Sequence, residues 1–171
     1  MRVYLTGFMG AGKTVVGREL ADVLDLRFVD LDDAIVASST EDSVATIFAR
    51  HGEATFRDLE RRALARTEER DDLVVACGGG ALVSADNRAL VAELGTTVWL
   101  DPAFELIVTR LGDRDDSRPL FRDPERAHEL WRQRRDAYGR ADLRIDVDPE
   151  ATPRDLAARI ADLLRGTSCA T

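Results

Sequence analysis

The residues Gly7-Phe8-Met9-Gly10-Ala11-Gly12-Lys13-Thr14 fit the spacing G-x-x-x-x-G-K-[ST] of a phosphate-holding loop, the P-loop. Its glycines let the backbone bring N–H groups against phosphate oxygens. Lys13 supplies a compact positive charge to β- and γ-phosphates, and Thr14 offers a hydroxyl to Mg²⁺. Lys13 is the only lysine among the 24 lysines and arginines, and it stands where phosphate calls for a point charge. The helix that follows aims the positive end of its dipole at the same anion.

Other residues carry chemistry with alternatives attached. Asp30 and Asp32 end a strand-like run, two residues apart, and on an extended backbone they point the same way. One carboxylate suits Mg²⁺ and the other suits an attacking hydroxyl; an Asx turn or helix N-cap is the alternative. Arg57, Arg134 and Arg135 match a carboxylate in fork geometry, or lie on solvated faces. Gly78-Gly79-Gly80 allows close approach of backbone to a ligand, or makes a plain turn. Arg114 and Arg118 lie in a polar stretch that reads as a lid bringing charge to a moving phosphoryl group, or as a charged loop.

These residues need elements to position them. Strands are expected at residues 2–6, 27–30, 73–77, 97–100 and 143–147, with helices between them. One helix is capped by Ser43 and stops near Gly52; a longer one carries Phe56, Leu59 and Leu64. Three more share a cap-then-proline start, at Asp101-Pro102, Asp123-Pro124 and Thr152-Pro153. Alternating strand and helix imply an α/β fold with a parallel sheet covered on both faces and ligands at the carboxyl ends of the strands.

Composition narrows the classes. At 171 residues the chain is one domain, and no apolar run approaches the ~20 residues of a membrane span. The first residues enter a strand at once, which argues against a signal peptide. A net charge of −8 argues against nucleic acid as the main partner. Cys77 and Cys169 have no metal or redox spacing, in keeping with a reducing cytoplasm. His51, His128, Trp99 and Trp131 suggest surface or packing roles only.

In order and spacing these motifs resemble the shikimate kinases: the loop at 7–14, Val16-Gly17-Arg18, Asp30-Leu31-Asp32, Ile47-Phe48, Gly52-Glu53, Phe56-Arg57, Glu60, Gly78-Gly79-Gly80, Arg118-Pro119-Leu120, and Arg134 four before Tyr138. The resemblance implies a five-stranded parallel sheet flanked by helices, a P-loop kinase of the nucleoside monophosphate kinase-like type. Residues 31–64 would form substrate-binding helices, 112–123 a lid and 166–171 a tail. It further implies that Gly10, Ala11, Gly12, Lys13, Thr14 and Val15 wrap the phosphates of ATP, with Arg110 and Pro153 near adenine. Thr14 and Asp30 would hold Mg²⁺. Asp32 would assist the 3-hydroxyl of shikimate. Arg57 and Arg134 would take the substrate carboxylate beside Gly78, Gly79 and Gly80, and Phe48 and Phe56 would line the pocket. Lys13, Asp32 and Arg118 would be the catalytic set. A cytoplasmic monomer, bound to no membrane or nucleic acid, is expected. The chain departs from the family at Asp136-Ala137, where Pro-Leu is common, at Phe121, and in the last loop, residues 148–152. Kinases of aminoshikimate, gluconate or a nucleoside monophosphate, and a nucleotide-binding module that transfers nothing, are the competing readings.

Overall fold

Five short runs rich in Val, Leu and Ile form strands β1 (Arg2–Thr6), β2 (Arg27–Asp30), β3 (Leu73–Ala76), β4 (Thr96–Pro102) and β5 (Leu143–Val147). The computed structural model describes residues 1–112 and 123–168. Every strand pairing is parallel, in the order β2-β3-β1-β4-β5. Parallel neighbours need crossover connections. The described helices are α1 (Lys13–Leu24), α2 (Leu31–Ala37), α3 (Val44–Arg66), α4 (Ala85–Leu94), α5 (Phe104–Gly112), α6 (Pro124–Tyr138) and α7 (Pro153–Ser168). None of them is long and apolar enough to cross a membrane.

Side chains of period two divide β1 between two cores. Val3 and Leu5 pack with Leu100, Ile145 and residues of α1 and α7, including Leu20 and Ile160. Tyr4 packs on the other face with Leu31, Ile35, Ile47, Leu64 and Val91. A third cluster, Phe8, Trp99, Ile107, Leu111 and Tyr138, ties the glycine loop to α5 and α6. The order β2-β3-β1 makes the three chemistry-bearing stretches neighbours. The P-loop leaves β1, Asp30 ends β2, and the triple glycine follows β3 on the same sheet edge.

Local signals explain most helix ends. The Ser43 hydroxyl accepts the Thr46 N–H at 3.1 Å, and Asp123 accepts that of Arg126 at 3.0 Å. Thr152 and Asp155 cap each other's N–H groups around Pro153. The expected stop at Gly52 is a kink: its φ of 79° and ψ of 171° break α3, and the helix resumes at once. Residues other than glycine rarely adopt that φ.

Three expectations are corrected. Asp101-Pro102 starts no helix; both residues end β4, in register with Asp146 and Val147. The Asp101 carboxylate is taken by Arg135 and Arg144 instead of by helix N–H groups. Asp32 is not on extended backbone: it lies in the first turn of α2, whose N-cap is Asp30. Finally, α7 continues to Ser168, past Gly166.

The close packing of α4 and β1 gives a test. A Cβ on Gly95 would overlap the Arg2 backbone carbonyl, which has nowhere flexible to go. Gly95→Ala should therefore cost about 1–3 kcal/mol, read as a lower urea midpoint. An unchanged midpoint would mean that this junction gives way easily.

Candidate active site

A cleft of about 1010 Å³ opens at the carboxyl ends of β1, β2 and β3. Its floor is the P-loop. Gly7 has a φ of +137°, and a Cβ there would meet the Leu100 carbonyl at 2.5 Å, so this turn requires glycine. Lys13 Nζ donates to the Gly7 and Phe8 carbonyls at 2.9 and 3.0 Å, which holds its charge over the loop. The Thr14 hydroxyl donates to Asp30 Oδ2 at 2.8 Å. Asp30 Oδ1 accepts the Asp32 N–H at 3.1 Å. Asp30 is thus both the N-cap of α2 and the partner of Thr14, so the N-cap reading of its sequence position holds.

One hydroxyl and one carboxylate are hard oxygen donors, and a small divalent cation that keeps waters and takes phosphate oxygens needs few protein ligands. Among the described residues no cluster of three or more His, Cys, Asp or Glu side chains could hold a metal alone. The pair fits Mg²⁺ arriving with a nucleotide.

Gly10, Ala11, Gly12, Lys13, Thr14, Val15, Asp30, Asp32, Gly78, Gly79, Arg110 and Pro153 all line this cleft. Arg110 Nη1 donates to the Gly10 and Ala11 carbonyls, both at 3.3 Å. Cys77 also lines it, but burial pushes its thiol up to about 12 and leaves it inert.

The triple glycine forms the adjoining wall, and charged side chains from three helices lie over it. A Cβ on Gly78 would sit 2.9 Å from Asp32 Oδ1 and 3.2 Å from Glu60 Oε1. One on Gly79 would sit 3.6 Å from Arg134 Nη1, and one on Gly80 would sit 2.6 Å from Arg57 Nη1. Arg134 Nη1 and the Tyr138 hydroxyl both donate to the Gly79 carbonyl, at 3.2 and 2.5 Å. Arg57 is held by Glu60 at 2.8 Å and Glu53 at 3.2 Å, with its guanidinium over the Phe56 ring. Phe56 is buried, while Phe48, 4.5 Å away between ring centroids, is partly exposed. Arg57, Arg134, Gly80, Phe48 and Phe56 are not among the residues lining the main cleft; Arg57 and Arg134 reach the glycine wall, Phe56 lies under Arg57, and Phe48 lies beside Phe56. Arg118, and Arg114 with it, falls outside the described residues.

Two contributors carry more weight than their sequence positions suggested. Glu60 is 1% exposed, and its Oε1 has no hydrogen-bond partner. Burial pushes this carboxyl up, against the pull of Arg57. Its spacing of three from Arg57 on a helix was the available signal. Residue type alone does not separate Arg135 from Arg134, which only the resemblance singles out, and Arg135 turns away to pair with Asp101. Neither histidine enters the cleft: His51 pairs with Glu41 and His128 stacks on Trp131.

A parallel five-stranded sheet, a P-loop at its first strand, a hydrogen-bonded Thr14–Asp30 pair beside it and a glycine run faced by two arginines define a small P-loop kinase. Comparison with known proteins narrows this class. The family model described as shikimate kinase matches residues 9–165. A shikimate kinase of Geobacter metallireducens is 41% identical over 167 residues, covering 96% of this chain and 92% of its own. The structure of shikimate kinase from Acinetobacter baumannii in complex with shikimate superposes with a TM-score of 0.89 at 36% identity, covering 97% of this chain and 93% of its own. The shikimate kinase of Aquifex aeolicus gives 0.84 at 32% identity and full coverage of both chains. The chain belongs to the shikimate kinase family.

Proposed function

We propose that this chain transfers the γ-phosphoryl group of MgATP to the 3-hydroxyl of shikimate. The observation that carries this reading is the convergence of Asp32, Arg57 and Arg134 over Gly78–Gly80, beside the P-loop. Two guanidinium groups and a carboxylate suit a small ring bearing one carboxylate and several hydroxyls. Family membership supports the same acceptor.

Loose phosphoryl transfer is catalysed mainly by positioning and charge neutralisation. The P-loop N–H groups and Lys13 bind the phosphates. Thr14 and Asp30 would hold Mg²⁺, which when bound neutralises phosphate charge. Val15 would wrap the phosphates with the rest of the loop, Arg110 and Pro153 would lie near adenine, and Arg118 would add charge at the transferring group. Asp32 accepts a hydrogen bond from the 3-hydroxyl and orients its oxygen. Arg57 and Arg134 hold the carboxylate, Glu60 steadies Arg57, and Phe48 and Phe56 cover the ring. We further read the protein as a cytoplasmic monomer with no nucleic-acid or membrane partner.

The test is ADP release from MgATP with shikimate, aminoshikimate, gluconate or AMP. Shikimate alone should raise the rate sharply; a response confined to another acceptor, or to none, would overturn the proposal. Asp32→Asn should lower kcat with shikimate roughly 10²-fold or more while nucleotide binding persists. Near-normal turnover would remove Asp32 from the chemistry.

A further inference from the structure

Arg134 and Arg135 are consecutive on α6, but their side chains go to different elements. Arg134 reaches the Gly79 carbonyl at 3.2 Å. Arg135 makes a two-pronged contact with Asp101, Nη1 to Oδ1 at 2.6 Å and Nη2 to Oδ2 at 2.8 Å. The Asp101 side chain is only 4% exposed, and Arg144 of β5 also reaches its Oδ2, at 2.8 Å. The Arg135 guanidinium lies 4.9 Å from the Trp99 ring centroid and 4.6 Å from that of Trp131. Trp99 stands on β4 and Trp131 one turn earlier on α6.

A lone surface ion pair contributes little, because a long side chain gains little by choosing one geometry. This contact is different in kind. The fork fixes the plane of the guanidinium, and two aromatic faces fix its position, so few rotamers remain. Apolar packing of Tyr138 with Phe8, Trp99, Ile107 and Leu111 holds α6 to the loop without fixing the direction of a guanidinium, and the helix backbone also runs beside the 3₁₀ turn Ala81–Val83, which follows the glycine wall. Anchoring residue 135 sets the roll of the last turns of α6. It thereby aims residue 134, and with it Tyr138, whose hydroxyl donates to the same Gly79 carbonyl.

We infer that Arg135 is a positioning residue for the acceptor: its clamp on Asp101 and the two tryptophans holds Arg134 at the height of the glycine wall. The inference rests on the reading of Arg134 as a contact to the substrate carboxylate. Arg144 provides the control. It shares Asp101 and also lies over Trp99, at 5.0 Å, but it belongs to β5 and does not touch α6 through these contacts.

The experiment is steady-state kinetics of Arg135→Met, Arg144→Met and Arg134→Met beside the unchanged chain. Arg135→Met should raise the KM for shikimate about tenfold, as a small misplacement of a binding group does, with the KM for MgATP within about twofold. Arg144→Met should leave both constants unchanged. An unchanged shikimate KM in Arg135→Met, an equal rise in Arg144→Met, or a parallel rise in the MgATP KM would each overturn the clamp. If Arg134→Met raises the shikimate KM and Arg135→Met does not, the clamp alone is wrong. If Arg134→Met has no effect, the reading of Arg134 fails and the clamp falls with it. Should Arg135→Met not fold, the double variant Asp101→Asn/Arg135→Met removes the buried carboxylate that Arg144 alone would be left to pair, and carries the same expectation.

Discussion

The site depends on a place where side chains are missing. Along Gly78–Gly80 the volume that three Cβ atoms would claim lies against Asp32, Glu60, Arg134 and Arg57. Two acids lie against Gly78 and two arginines against Gly79 and Gly80, so charge balances across the wall. Buried charge is tolerated only where it is paired. Arg57 bridges to Glu60, and Arg134 finds a backbone carbonyl, yet Glu60 Oε1 keeps no partner. A set of groups held this close, with capacity left over, suits an incoming polyol better than it suits a core.

The rest of the fold serves that wall. Placing β3 between β2 and β1 brings Asp30, the glycine run and the P-loop to one edge. The kink at Gly52 divides α3, whose second half carries Phe56, Arg57 and Glu60 to the wall. The N-cap of α2 fixes Asp30 toward Thr14 and seats Asp32 in the first helical turn. A residue that caps a helix and holds the Thr14 hydroxyl at once needs no separate scaffold.

Much of this could be read from the residues themselves. The P-loop spacing, the single lysine within it, and all five strand runs needed no tertiary information. What failed did so where a distant partner overruled a local signal. Asp101-Pro102 carries a helix-start signal, but two arginines far along the chain hold the carboxylate in a strand. The Asp30–Asp32 spacing suggested one extended face, but capping curls the chain into α2 after one residue. No local rule separates Arg134 from Arg135; their roles are decided by which neighbour each meets. Glu60 reads as an ordinary helix charge until burial is known.

The most direct measurement of the central constraint is Gly80→Ala. Gly80 has ordinary right-handed backbone angles, φ −103° and ψ −13°, so alanine brings no backbone strain. The atoms its Cβ would meet are the end of the flexible Arg57 side chain, at 2.6 and 2.7 Å. Stability should stay within ~0.5 kcal/mol of the parent. The KM for shikimate should rise roughly tenfold or more, the loss of one charge-assisted hydrogen bond, while the KM for MgATP holds. A variant that binds shikimate as the parent does would contradict the account, because Arg57 would then need no glycine beneath it.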